Sequence, residues 1–143
     1  MQSLKQAYSS ASGAKKNEVA LKAFFGIAQK WGLSSEQECV LLAVSKSTLY
    51  RWKQKGEASL TPGTLERISY ILGIYKALRI LLPNEESANS WIHKSNTASL
   101  FGGNSALNKL MKGHVIDLAD VRRYLDAERS LVVQKLSEPL ALS

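Results

Sequence analysis

The sequence predicts an all-α protein in two parts, and three observations predict it. Apolar residues recur at a spacing of about 3.6 through residues 19–31, 65–82 and 118–125. No segment reads as a strand, and serine, threonine, proline and glycine stand where helices start and stop. The positive charge is unevenly spread. Residues 1–82 hold 12 Lys and Arg against 5 Asp and Glu, whereas residues 83–143 hold 7 of each. That asymmetry gives the two parts different partners, the first of them polyanionic.

Residues 1–17 are small, polar and basic, and are expected to form a flexible leader. A first helix follows, with Val19, Leu21, Phe24, Phe25, Ala28 and Trp31 on one stripe and Gly32 as its stop. Ser34 or Ser35 caps the next helix, with Glu38 three residues beyond Ser35 as a capping box requires. A third helix starts at Ser45 or Ser47 and ends near Gly56. Thr61–Pro62 opens the longest helix, since threonine suits the cap and proline the first turn. Pro83 ends it, because proline cannot donate the helix hydrogen bond. Its apolar coverage is wide, from Leu65 to Leu82. A helix on the surface needs a narrower stripe. Either the chain buries it on two sides or it pairs with a second copy. A short helix over residues 86–92 carries Trp91, and residues 93–104 form a loop. Another short helix spans residues 105–112 up to Gly113. Asp117 caps the last helix, which has Leu118, Val121 and Leu125 on one stripe. Residues 18–82 make the first domain, 83–130 the second and 131–143 a tail.

Composition excludes several functions. No segment has the roughly 18 uninterrupted apolar residues of a membrane span, and the N-terminus lacks the apolar core of a signal peptide. A cytoplasmic protein without a membrane partner is expected. The lone cysteine, Cys39, cannot form an internal disulfide and reads as a buried inert thiol. His93 and His114 are far apart with no second cysteine nearby, so no metal site is expected. Gly102–Gly103 lacks the spacing of a phosphate loop. Asp120, Asp126 and Glu128 lie among Arg122, Arg123 and Arg129, which makes them ion-pairing groups rather than a catalytic pair. No nucleophile–base pair is present. Neither an enzyme nor a small-molecule substrate or cofactor is expected.

Residues 37–52 fit a helix-turn-helix. The crossing of its two helices needs a small residue, and Cys39 is there. Ala43 stands at the turn, where glycine is commoner, and Glu38 occupies a position that is usually apolar. Val44, Leu49 and Trp52 are the apolar pegs that fix the second helix on the first. Ser47, Thr48, Tyr50 or Arg51, and Lys55 then face outward. A helix in the major groove presents its N-terminal residues to bases and phosphates. Lys46, Ser47, Thr48 and Arg51 are the candidates for groove contact, with Tyr50 beside them, and Lys53 and Lys55 for phosphate. Two half-sites about one DNA turn apart call for a homodimer.

The second part carries a more specific signature. PNEESANSWIHKSNTASLFGGNSALNKLMKG followed by VRRYLDAERS resembles the C-terminal domain of the Xre/MbcA/ParS antitoxins. The resemblance takes in the long helix and the helix-turn-helix before it, over roughly residues 18–130. It implies a toxin-binding domain after a DNA-binding module, with a RES-domain toxin as partner. Such toxins consume NAD+ or transfer its ADP-ribose. The resemblance implies that the C-terminal region covers the toxin's active site and that the helix-turn-helix binds the operon's own promoter DNA. On this carry-over, Phe101, Arg122, Tyr124, Asp126 and Arg129 fall within the toxin-facing motif. Tyr124 and Arg129 would be the anchors, since aromatic and arginine side chains dominate interface energetics, although Tyr124 serves equally well as a packed core residue. Many members end soon after the last helix in Arg-Gly-Gly, whereas this chain continues for thirteen residues after Ser130. That tail is a plug for the toxin, a helix extension or an unmatched end. Truncation after Ser130 is expected to weaken neutralisation. The competing reading is a stand-alone helix-turn-helix regulator whose second part only dimerises or senses a ligand.

Overall fold

The computed structural model describes residues 13–55 and 59–137. Over those residues run α1 Gly13–Lys30, α2 Ser35–Leu42, α3 Lys46–Lys55, α4 Pro62–Leu81, α5 Glu85–Ser90, α6 Ala106–Leu110 and α7 Val115–Ser137. A 3-10 turn, Trp91–His93, prolongs α5. Among the described residues there is no strand, and one antiparallel bridge ties Ser95 to Ser105.

The longest apolar run becomes the axis of the molecule. Thr61 Oγ1 accepts the Thr64 amide at 3.1 Å, Pro62 sits in the first turn, and the helix stops ahead of Pro83. Ile68, Ile71, Ile74, Ala77 and Leu78 are buried. α1 packs along one flank of α4 and α7 along another. Phe24 and Trp31 enter from α1, and Leu118, Val121 and Leu125 from α7, all into one continuous core. Each fully buried Leu, Ile or Phe contributes roughly 1.5–3 kcal/mol. The wide apolar face of α4 is thus covered within the chain.

α7 runs in the same sense as α4. Gly113, just before it, meets Arg67, and Arg122 lies over Gly73. The helix-turn-helix therefore sits at the N-terminal end of α4, and the last turns of α7 lie towards the other end.

Several boundaries differ from the sequence reading. Helix α1 begins at Gly13, inside the span read as leader; residues 1–12 lie outside the described residues. The capping box of α2 is Ser34 with Gln37, not Ser35 with Glu38. Ser34 Oγ accepts the Gln37 amide at 3.2 Å, and Gln37 Oε1 accepts the Ser34 amide at 2.9 Å. This frees Glu38 for the interior. Cys39 is half-buried rather than buried. Helix α5 starts at Glu85, one residue earlier than the sequence reading, with Asn84 as its cap. Asp117 does not cap α7, which starts two residues earlier; its carboxylate turns inward to Lys109 at 2.9 Å. Of the three readings of the tail, residues 131–137 take the helix extension, and residues 138–143 lie outside the described residues.

Candidate nucleic-acid interface and interaction surface

Helices α2 and α3 pack through the expected pegs. Leu49 and Trp52 are buried, and Val44 packs against them half-buried. Ser45 caps α3, its Oγ accepting the Thr48 amide at 3.2 Å. Ala43, at φ 56 and ψ 47, is the one non-glycine residue with positive φ among the described residues. Its amide bonds back to the α2 carbonyls, so the turn needs a left-handed residue whichever side chain is present. Lys46, Ser47, Tyr50, Arg51 and Lys55 are exposed on α3, and Thr48 is half-buried at its start. Tyr50 is 67 % exposed, which singles it out on a helix otherwise polar on its outer face.

Two of the predicted DNA-contacting lysines have partners in the protein. Lys46 Nζ lies 2.8 Å from Glu36 Oε1, both side chains in solvent. Each charge favours the other, so the Glu36 carboxyl is held below its usual range and the Lys46 ammonium above. Water screens such a pair, leaving Lys46 available to a phosphate. Lys53 differs. Its Nζ reaches Glu38 Oε1 at 2.8 Å and lies 5.3 Å from the centre of the Phe25 ring. Glu38 is buried, so this ion pair is tied to the packing of α3 on α2 and α1. Lys53, exposed on α3, thus has a partner within the fold as well as its outward position. The usually apolar position held by Glu38 is accounted for by the same contact.

The structure divides the five C-terminal candidates into two groups. Phe101 is buried and meets Tyr124 edge-on, ring centres 5.2 Å apart, and Trp91 likewise at 5.9 Å. Tyr124 stacks on Trp91 at 6.4 Å. Phe101 is therefore buried in the core, and Tyr124, half-buried, packs on both rings. Arg122, Asp126 and Arg129 fall together on another face of α7. With Ser130, Val133 and Gln134 they line a shallow depression of about 590 Å³. Arg122 is laid flat on α4. A Cβ at Gly73 would stand 2.5 Å from its Nε, so any side chain there would displace Arg122 from this place. Its guanidinium also faces Asp126 at 3.6 Å. Arg129, half-buried, has no ion-pair partner among the described residues.

Sequence reasoning missed two tertiary contacts. Arg67, half-buried on α4, donates to Val40 O and Leu41 O at the end of α2, and to Gly113 O at 2.9 Å ahead of α7. It has three carbonyls and no carboxylate, an arrangement that spacing along the chain does not reveal. Lys109 on α6 pairs with Asp117 at 2.9 Å and Asp120 at 3.3 Å in a largely buried cluster. The hydrogen bond to Asp117 raises the Lys109 pKa. Among the described residues no three His, Cys, Asp or Glu side chains gather as a metal ion would need. No described helix is long and apolar enough to cross a membrane.

Comparison with known proteins aligns with this division. The family model described as the antitoxin Xre-like helix-turn-helix domain matches residues 14–73. That of the antitoxin Xre/MbcA/ParS C-terminal toxin-binding domain matches residues 77–130. An uncharacterized protein of Sinorhizobium fredii, y4oB, is 46% identical over 110 residues, spanning 76% of this chain and 83% of the relative.

Proposed function

The chain belongs to the Xre/MbcA/ParS antitoxin family, and we propose that it neutralises a RES-domain toxin that consumes NAD+ or transfers its ADP-ribose. In this reading it acts by binding and not by catalysis, and it works in the cytoplasm. The C-terminal domain covers the toxin's active site, with the Arg122, Asp126 and Arg129 face of α7 turned to it. The helix-turn-helix binds the operon's own promoter as a pair of copies. Lys46, Ser47, Thr48, Tyr50 and Arg51 approach the groove and Lys55 a phosphate.

One observation carries the reading. Both domain types occur in one chain almost end to end, and their boundary, residues 73–77, falls inside α4. A free regulator has no use for a toxin-binding domain built on the same helix as its DNA reader. The exposed polar face of α3 supports DNA binding, and Arg129, without an ion-pair partner among the described residues and beside a depression, supports a protein contact.

The test is co-purification of the tagged chain with the product of its neighbouring reading frame, following NAD+ in the expressing cells. A tight complex, with NAD+ lost only when this chain is absent, is expected. No complex and steady NAD+ would instead favour a stand-alone helix-turn-helix regulator.

A further inference from the structure

The outward face of α3 follows the helical period. Ser47, Tyr50, Arg51 and Gln54 recur at i, i+3, i+4 and i+7, opposite the buried pegs Leu49 and Trp52. A helix lying in the major groove meets base pairs through that spacing. The four are not equally free to do so. Ser45 Oγ lies 3.1 Å from Ser47 Oγ and donates to Thr48 Oγ1 at 3.0 Å, so both of those hydroxyls serve the start of the helix. Lys46 and Lys53, at the borders of the face, meet Glu36 and Glu38. Tyr50, Arg51 and Gln54 are exposed and have no hydrogen-bond or ion-pair partner among the described residues. Gln54 lies one turn beyond Tyr50, near the middle of the face and away from its borders.

We propose that Gln54 reads an adenine in the bound DNA, close to the base taken by Arg51. The inference rests on the DNA-binding part of the proposed function and adds to it a residue that selects sequence. The chemistry of a side-chain amide picks out the base. Its Nε2 donates to adenine N7 while its Oε1 accepts from adenine N6, and no other base offers that acceptor and donor side by side in the major groove. Guanine presents two acceptors there, so the amide oxygen would face a lone pair. Cytosine offers a donor alone, and thymine an acceptor beside a methyl group. Position along the helix sets the spacing. Gln54 follows Arg51 by three residues, about 4.5 Å along the axis, which is roughly one to two base-pair steps. The two side chains therefore reach neighbouring pairs. Packing makes no claim on Gln54, since the pegs that hold α3 lie on the other side of the helix.

Selection of bound duplexes from a randomised pool by the full chain tests this, followed by titration of the selected site at one fixed salt concentration. Thermal melting confirms that the variant folds. The wild type is expected to prefer adenine at one position by about tenfold. Gln54→Ala should lose that preference and keep the others. Replacing that adenine by 7-deazaadenine, which lacks the N7 acceptor, should weaken the wild type several-fold and leave Gln54→Ala unaffected. A Gln54→Ala chain that selects the same site as the wild type overturns this proposal and leaves the DNA-binding reading standing. Equal weakening of both chains by 7-deazaadenine does the same, because the N7 contact then belongs to another residue. A wild-type chain that prefers no duplex over another overturns both, since α3 then reads no sequence.

Discussion

α3 and α7 both carry candidate contact residues, but they divide their surfaces differently. On α3 two buried pegs, Leu49 and Trp52, hold the helix, and the outward residues other than Lys53 take little part in the packing. On α7 one helix serves the shared core, an aromatic cluster through Tyr124, a close approach to Gly73 through Arg122 and a half-buried Arg129. Where packing and recognition sit on separate faces, recognition residues can be altered without harm to the fold. Where they share a helix, a motif residue in the sequence can belong to either.

Phe101 and Arg129 test that distinction most severely. Phe101→Ala should cost about 3–5 kcal/mol of stability in urea unfolding, with any loss of toxin capture following the unfolded fraction. Arg129→Ala should leave the unfolding curve in place and weaken capture directly. Equal effects of the two on stability would remove the boundary between the groups. On α3, Arg51→Ala should relax sequence preference at a cost of ~1–3 kcal/mol to the preferred site, read by titration against matched and altered promoter fragments. Unchanged binding would show that α3 is not the reading helix.

Lys53 and Lys55 sharpen the comparison within α3. Lys55→Ala should weaken every DNA sequence alike and shallow the salt dependence by about one phosphate contact. Lys53→Ala should leave that slope nearly unchanged and destabilise the fold by about 1–3 kcal/mol, because Glu38 is left buried without its partner. The reverse pattern would return Lys53 to the DNA.

Alkaline titration probes the C-terminal half. The folded-state pKa of Lys109 is raised above the ordinary lysine value of 10.5, so its ion pairing stabilises the protein fully below that pH. That contribution is lost as pH rises through the folded value. A Lys109→Met variant should show less of this alkaline loss, measured by thermal melting. The smallest effect is at the turn. Ala43→Gly relieves a left-handed alanine and should stabilise by up to about 1 kcal/mol, since the glycine's greater freedom when unfolded offsets part of the gain.

Legibility in the sequence followed distance along the chain. Thr61–Pro62, Pro83, Gly113 and the pegs Val44, Leu49 and Trp52 act over a few residues, and their spacing fixed the helices and the turn. The contacts of Arg67 with Val40, Leu41 and Gly113 span 26 to 46 residues, and no local pattern announces them. Glu38 looked like half of a capping box because Ser35 stands three residues before it. Only the crossing of α2 and α3 brings Lys53 to it. Phe101 belonged to a recognisable motif, but the motif did not say that its ring lies against Trp91 and Tyr124. The length of α7 was open because LVVQKLS suits a helix without requiring one.

The shared use of α4 reaches into the lifetime of the protein. No linker separates the residues matched to the DNA reader from those matched to the toxin binder; both close on the same twenty-residue helix and share one core. Withdrawing either α1 or α7 uncovers one flank of it and unsettles the other. The two halves should then melt together and be degraded together. Under the proposed function, a protease that clears the chain would lift repression and release the toxin in one event, with neither activity outliving the other.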